Sequence, residues 1–83
     1  MTFRIHIRVM PRRGLLDPQG QAVERALTAL KFSDVAHVHV GKAIELDLTA
    51  ADSESALKVA RAMCDKLLAN PVTEDYQIAV EAT

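Results

Sequence analysis

His37-Val38-His39-Val40-Gly41-Lys42-Ala43-Ile44-Glu45-Leu46-Asp47-Leu48 holds two alternating runs of apolar and polar residues separated by Gly41-Lys42. Alternation with a period of two marks strands with one buried face, so the stretch reads as two strands joined by a turn. A plain two-residue turn at Gly41-Lys42 sets Val38 opposite Glu45 and His39 opposite Ile44, which matches apolar residues to polar ones along the whole pair. Moving the register by one residue sets Val40 against Ile44, Val38 against Leu46, His39 against Glu45 and His37 against Asp47. Those are favourable cross-strand pairs, and they imply a three-residue loop or a bulge near Gly41.

Outward from this stretch, Phe3, Ile5, Ile7 and Val9 alternate with Arg4, His6 and Arg8 in a first strand, and Tyr76, Ile78 and Val80 mark a last one. From Pro18 to about Lys31, the apolar residues Ala22, Val23, Ala26, Leu27 and Leu30 fall on one helical face. A second helix, capped by Asp52 or Ser53, turns Ala56, Leu57, Ala60, Met63, Cys64, Leu67 and Leu68 inward. The order βαββαβ predicts an α+β ferredoxin-like sandwich in one domain spanning 1–83: a four-stranded antiparallel sheet, order 4-1-3-2, with two helices on one face. Arg4, His6 and Arg8 are then expected on the open face, between Glu45 and Asp47 on one side and Glu81 on the other.

Composition narrows the classes. The chain has 83 residues and a formal net charge of −1, so it carries no electrostatic footprint for nucleic acid or an anionic membrane. The single Cys64 permits no intrachain disulfide and fits a reducing cytoplasm. The N-terminal alternation is not the apolar run of a signal peptide, and no stretch reaches the roughly 20 apolar residues of a membrane span. Domains this small leave much of their surface in water, since a 60-residue domain buries only about 60% of its unfolded surface. A homodimer or higher homo-oligomer is therefore expected.

No catalytic constellation stands out. Cys64 sits among apolar residues and reads as a buried structural thiol. His37 and His39 share a strand face near Glu45 and Asp47; a metal site with N and O ligands is conceivable there, but solvated or ion-paired histidines are the expected reading and no metal ligand is assigned. The Gly14 to Gly20 stretch lacks the glycine-lysine-serine/threonine pattern of a phosphate loop, and Gly41-Lys42 is followed by Ala43. Glu74 and Asp75 are adjacent in sequence and read as a polar turn before a strand. Leu15 and Leu16 lie outside any buried periodicity. Either they close the end of the core, or they form an apolar patch for another subunit.

Two segments carry helix punctuation. In Leu16-Asp17-Pro18-Gln19-Gly20, Asp17 is a cap and Pro18 fits the first helical position. In Leu67-Leu68-Ala69-Asn70-Pro71-Val72-Thr73-Glu74-Asp75-Tyr76, Asn70 suits the left-handed residue that closes a helix, and Pro71 prevents continuation. Together with Gly41-Lys42 between them, in this order and spacing, the segments resemble PurS, the small subunit family of phosphoribosylformylglycinamidine synthase. The resemblance runs from about Ile5 to Val80.

The resemblance implies a non-catalytic subunit of de novo purine biosynthesis that assembles with a large synthetase subunit, PurL, and a glutaminase subunit, PurQ. The complex converts formylglycinamide ribonucleotide, ATP and glutamine to formylglycinamidine ribonucleotide, ADP, phosphate and glutamate. It implies no cofactor in this chain, with ATP (as its magnesium complex) and glutamine used elsewhere in the assembly. Loops on a rigid scaffold are the usual binding elements. The candidate contact residues are therefore Leu15, Leu16, Asp17, Pro18, Gln19, Gly20, Gly41, Lys42, Asn70, Pro71, Glu74 and Tyr76, with Lys42 and Glu74 expected to be exposed and charged.

Two other classes share the topology. Gly14-Leu15-Leu16 after the first strand resembles the loop of ACT-like regulatory domains, which bind amino acids; Asp17-Pro18-Gln19-Gly20 does not continue that pattern. RNA-recognition domains need aromatic residues on the open sheet face, but Phe3 and Tyr76 fall on the inward register and Phe32 ends a helix.

Overall fold

The structure is a computed structural model that describes all residues from Met1 to Thr83. Strand β1 (Thr2–Pro11) is followed by helix α1 (Pro18–Ala29), strand β2 (Lys42–Thr49), helix α2 (Ser53–Met63) and strand β3 (Glu74–Ala82). β1 is the central strand of a three-stranded antiparallel sheet of order β2-β1-β3. Its register sets Ile5 beside Leu46 and Val80, and Ile7 beside Ile44 and Ile78. The alternation read from the sequence therefore places one apolar set on one face. Phe3, Ile5, Ile7 and Val9 are buried there beneath Ala56, Ala60 and Cys64 of α2 and its extension. The small side chains of α2 allow its backbone to approach the branched residues of β1 closely.

The expected four-stranded sandwich is not what forms. Val38–Val40 has no regular secondary structure and belongs to no sheet. Its backbone is satisfied differently: the Val38 N–H donates to Glu24 Oε1 at 3.0 Å, and the Val40 N–H donates to Asp17 Oδ2 at 3.1 Å. None of the pairings expected across Gly41-Lys42 exists, because β2 pairs with β1 alone. Alternation reports that a segment is extended and two-sided; it does not report what its N–H groups bond to. The strands that do form keep the predicted relative order.

Only α2 packs on the sheet, so the expectation of two helices on one face also fails. α1 makes no more than marginal contact with any other element. Of its apolar face, Leu27 is half-buried, while Ala22, Val23, Ala26 and Leu30 are exposed. The molecule measures 50 × 27 × 14 Å with a radius of gyration of 16.2 Å, against about 12 Å for a compact chain of this length. α1 and the segment after it form an arm beyond the sheet. A Schellman closure ends α1, with Phe32 N–H on Leu27 C=O, Lys31 N–H on Thr28 C=O, and Lys31 itself at φ 78°.

α2 continues into a π-helical turn, Cys64–Leu68, closed by Ala69 N–H on Cys64 C=O at 3.0 Å. The wider turn changes the helical phase. Leu67, expected on the inner face, is 82% exposed, whereas Leu68 packs against the core. Asn70 is not left-handed, since the only non-glycine residues with positive φ are Lys31 and His37. It shapes the turn through its side chain, with Oδ1 accepting from Val72 N–H at 3.0 Å.

Candidate functional site

One end of the sheet collects most of the residues singled out in the sequence. A cleft of about 410 Å³ there is lined by Leu15, Leu16, Asp17, Pro18, Gln19 and Glu74, together with Pro11, Val40 and Thr73. Leu15 and Leu16 are 44% and 73% exposed, so they form surface and do not close the core. Tyr76 lies outside this cleft. It lines a neighbouring one of about 620 Å³ with Arg8, Arg13, His37 and His39. Gly41 and Lys42 line a third, on the open face, with His6, Arg8 and Glu45. Asn70 and Pro71 line none of them and act through the shape of the loop.

Asp17 is the hinge of the arm. It caps α1 as expected, with Oδ1 accepting from Gly20 N–H at 3.0 Å, and its second oxygen takes Val40 N–H. His39 Nδ1 is 3.4 Å from the same oxygen. Bonds to the Gly20 and Val40 backbone, and then His39, hold the Asp17 carboxyl below its ordinary value. One buried carboxylate therefore caps a helix and tethers residues 23 positions further on. Gly20 is required at this point, because a Cβ would run into Asp17 and the Val38 carbonyl. Gly41 is required for a similar reason: a Cβ would meet the Val9 carbonyl and the Met10 sulfur.

Arg12 was not singled out in the sequence, yet it organises the loop from Asn70 to Asp75. Its Nε donates to Asp75 Oδ1 at 3.1 Å, and its two terminal nitrogens donate to the carbonyls of Pro71, Val72 and Glu74 at 3.0–3.3 Å. The Arg12 N–H also reaches Thr73 C=O at 2.8 Å. No local sequence signal marks an arginine that bonds carbonyls some sixty residues away. Glu74 is not the free surface charge expected: it is half-buried, and its Oε1 accepts Asn70 N–H at 2.8 Å. Lys42 is exposed and in no ion pair. Tyr76 Oη donates to Asp65 Oδ1 at 2.9 Å, and that bond pushes the phenol up.

The open sheet face partly follows the expected ion pairing. Arg4 Nε lies 3.3 Å from both Glu45 and Asp47, and His6 bridges Glu45 and Glu81. Arg8 faces Ala43 and Gln77 in place of acids. His37 and His39 do not join Glu45 and Asp47, and no three His, Cys, Asp or Glu side chains converge in metal-binding geometry. Cys64 is fully buried, and burial, aided by Asp65, pushes its thiol up. That is the environment of a packing residue and not of a nucleophile. No helix is long and apolar enough to cross a membrane.

Comparison with known proteins places this architecture. The family described as PurS, phosphoribosylformylglycinamidine (FGAM) synthase, matches residues 4–82. The PurS subunit of Bacillus subtilis is 39% identical over 79 residues, covering 95% of this chain and 93% of the relative. That of Synechocystis is 41% identical over 81 residues, covering 98% and 81%. Among solved structures, B. subtilis PurS superposes with a TM-score of 0.87 at 38% identity, covering 96% of this chain and 99% of that one. A chain of the PurLQS structure from Thermotoga maritima superposes at 0.88 with 34% identity, covering 96% and 98%. Agreement at these scores over nearly the whole chain includes the displaced α1 and its following segment. With the family matched almost end to end in sequence and the three-stranded sheet with its outlying arm matched in solved relatives, the chain belongs to the PurS family of phosphoribosylformylglycinamidine synthase subunits.

Proposed function

We propose that this chain, as one PurS-like domain, holds a PurL-type synthetase subunit and a PurQ-type glutaminase subunit in register, so that ammonia released from glutamine reaches the synthetase without escaping to water. The observation that carries this reading is the close superposition on a chain of the T. maritima PurLQS structure. Its context is FGAM synthesis in purine biosynthesis, with ATP and glutamine consumed by the other subunits, no cofactor in this one, and a cytoplasmic setting. The chain's own chemistry is that of a scaffold: its one thiol is buried, and Asp17, Asp52, Glu45 and Asp47 are spent on caps, a tether and ion pairs.

The contact surface is the end of the sheet where Leu16, Gln19 and Lys42 are exposed, held in shape by Asp17, Arg12 and the turn at Asn70-Pro71. An ACT-like amino-acid site has no support of this kind. Copurification tests the assignment. The chain joins tagged synthetase and glutaminase subunits in one complex, and Leu16→Asp weakens recovery while its circular dichroism matches the parent. Lys42→Glu also weakens it, more so at low salt where charge contacts are least screened. A parent chain that copurifies with neither subunit under turnover conditions contradicts the reading.

A further inference from the structure

The open face of the sheet matches its cations with acids at one end and not at the other. Arg4 has Asp47 and Glu81 as cross-strand neighbours, and its Nε lies 3.3 Å from both Glu45 and Asp47. Further along β1, Arg8 has Ala43 and Gln77 in the corresponding places. Arg8 is exposed and forms no ion pair. It lines the cleft of about 620 Å³ together with Arg13, which follows β1 and is also unpaired, and with His37 and His39 from the segment after α1. The one carboxylate on this lining, Asp75, already accepts from Arg12 Nε at 3.1 Å. The main-chain N–H groups of His37 and His39 have no acceptor in the chain.

Unpaired cations on an open surface are ordinary, because water solvates them. Lys31, Lys58, Lys66, Arg25 and Arg61 are of that kind: none is in an ion pair and none lines a cleft. Arg8 and Arg13 differ, because a strand and the loop after it bring them to one concavity. The chain's formal net charge is −1, so a cleft with two arginines against one carboxylate carries the opposite sign to the whole.

We propose that this cleft binds a phosphoryl group, held by the guanidinium groups of Arg8 and Arg13. A guanidinium offers phosphate paired N–H donors in a fixed fork. The Gln77 side-chain amide on the same lining supplies neutral donors. The volume lies within the range of small-molecule sites, so it admits a sugar phosphate or nucleotide as well as the free ion. Beyond Met10, Pro11 and the Tyr76 ring the lining is polar, which gives an apolar segment of another protein little to bury. The site goes beyond the scaffold reading and does not rest on it.

The test uses the full-length chain labelled for amide NMR and titrated at constant ionic strength. The probes are inorganic phosphate, ribose 5-phosphate and adenosine 5′-monophosphate. Shifts that saturate at millimolar ligand appear at Arg8, Arg13, His37, His39 and Gln77. Arg8→Ala and Arg13→Ala each weaken binding about tenfold, the size of a charge-assisted bond, while circular dichroism stays that of the parent. Arg13→Lys keeps the charge but not the fork, and restores only part of the affinity. Lys58→Ala removes one positive charge from outside the cleft and leaves affinity unchanged. Tighter binding of the two esters than of phosphate assigns the site to a phosphorylated metabolite; equal or weaker ester binding assigns it to the free ion. Either result supports a phosphoryl site. Three results overturn it: no saturable shift, an equal loss with Lys58→Ala, or tighter binding of a short polyglutamate peptide than of any phosphate. The last would give the cleft to an acidic protein segment. No arm includes the larger subunits, so the outcome is independent of the copurification result.

Discussion

The two helices of this chain begin in the same way and end up in opposite surroundings. Each starts at an aspartate that accepts the N–H three residues on, Asp17 from Gly20 and Asp52 from Ser55. Each has an apolar face. α2 lies on the sheet with Ala56, Ala60 and Cys64 fully buried, while on α1 the only buried residue is Gly20. The difference comes from the connections. Ala50 to Asp52 turns β2 directly back over its own sheet, and the Ala50 N–H is tied to the Met1 carbonyl. The turn after β1 instead feeds α1 outward, and Asp17 and Glu24 then lock it to the segment that follows. An amphipathic face therefore shows that something covers it, without showing that the same chain does.

The largest expected effect separates the two regions directly. Ile7 is 1% exposed at the centre of the sheet, and Ile7→Ala costs about 2–5 kcal/mol through lost burial and a cavity. Urea unfolding should show that loss at every protein concentration. Leu30→Ala on the arm should show a loss that shrinks as the protein is diluted, since a contact between copies follows mass action. Equal, concentration-independent losses would erase the contrast between the helices.

The next effect concerns the tether. Asp17 has a lowered folded pKa, so the stability it contributes is complete above its ordinary value of 3.8 and disappears as pH falls through the lower folded value. Asp52 has the same sign, from Ser55. Asp17→Asn should flatten this part of the acid-unfolding curve and speed amide exchange at Val40, which Asp52→Asn should leave unchanged. Equal exchange at Val40 in the two variants would show that the arm does not depend on its tether.

Arg12→Ala should cost about 1 kcal/mol: bonds to a charged group are strong, but the guanidinium is partly exposed and water competes. Its signature is faster amide exchange confined to the loop from Asn70 to Glu74, with β1 unaffected. The smallest effect belongs to the open face. Arg4→Ala should cost about 0–1 kcal/mol because its partners are exposed acids. A larger loss would mean that this face is covered in solution.

Much of this was legible from residue pattern. The apolar residues of β1, β2 and β3 share the face their period predicts, Asp17 and Asp52 cap where their positions suggest, and Arg4 and His6 meet the acids of the neighbouring strands. The misses all concern where main-chain groups find their partners. Val38 and Val40 have the alternation of a strand, yet their N–H groups bond to carboxylates of the arm. Leu67 has helical spacing, yet a π turn rotates it outward. Arg12 bonds main-chain carbonyls that carry no sequence signature. Pattern specifies which side of a segment is apolar; it does not specify the backbone partner, whether that is a carboxylate distant in sequence, as for Val38 and Val40, or a carbonyl one residue further back in the same helix, as at Ala69.

The central claim is that this chain couples glutamine hydrolysis to synthesis and takes no part in the chemistry itself. The most direct measurement compares glutamine with free ammonia as nitrogen source for FGAM formation by the synthetase and glutaminase subunits, with and without this chain. The account predicts that glutamine-dependent synthesis requires the chain, that ammonia-dependent synthesis does not, and that the Cys64→Ala protein serves as well as the parent. Full glutamine-dependent synthesis without the chain, or loss of glutamine hydrolysis on Cys64→Ala with folding and assembly intact, would contradict it.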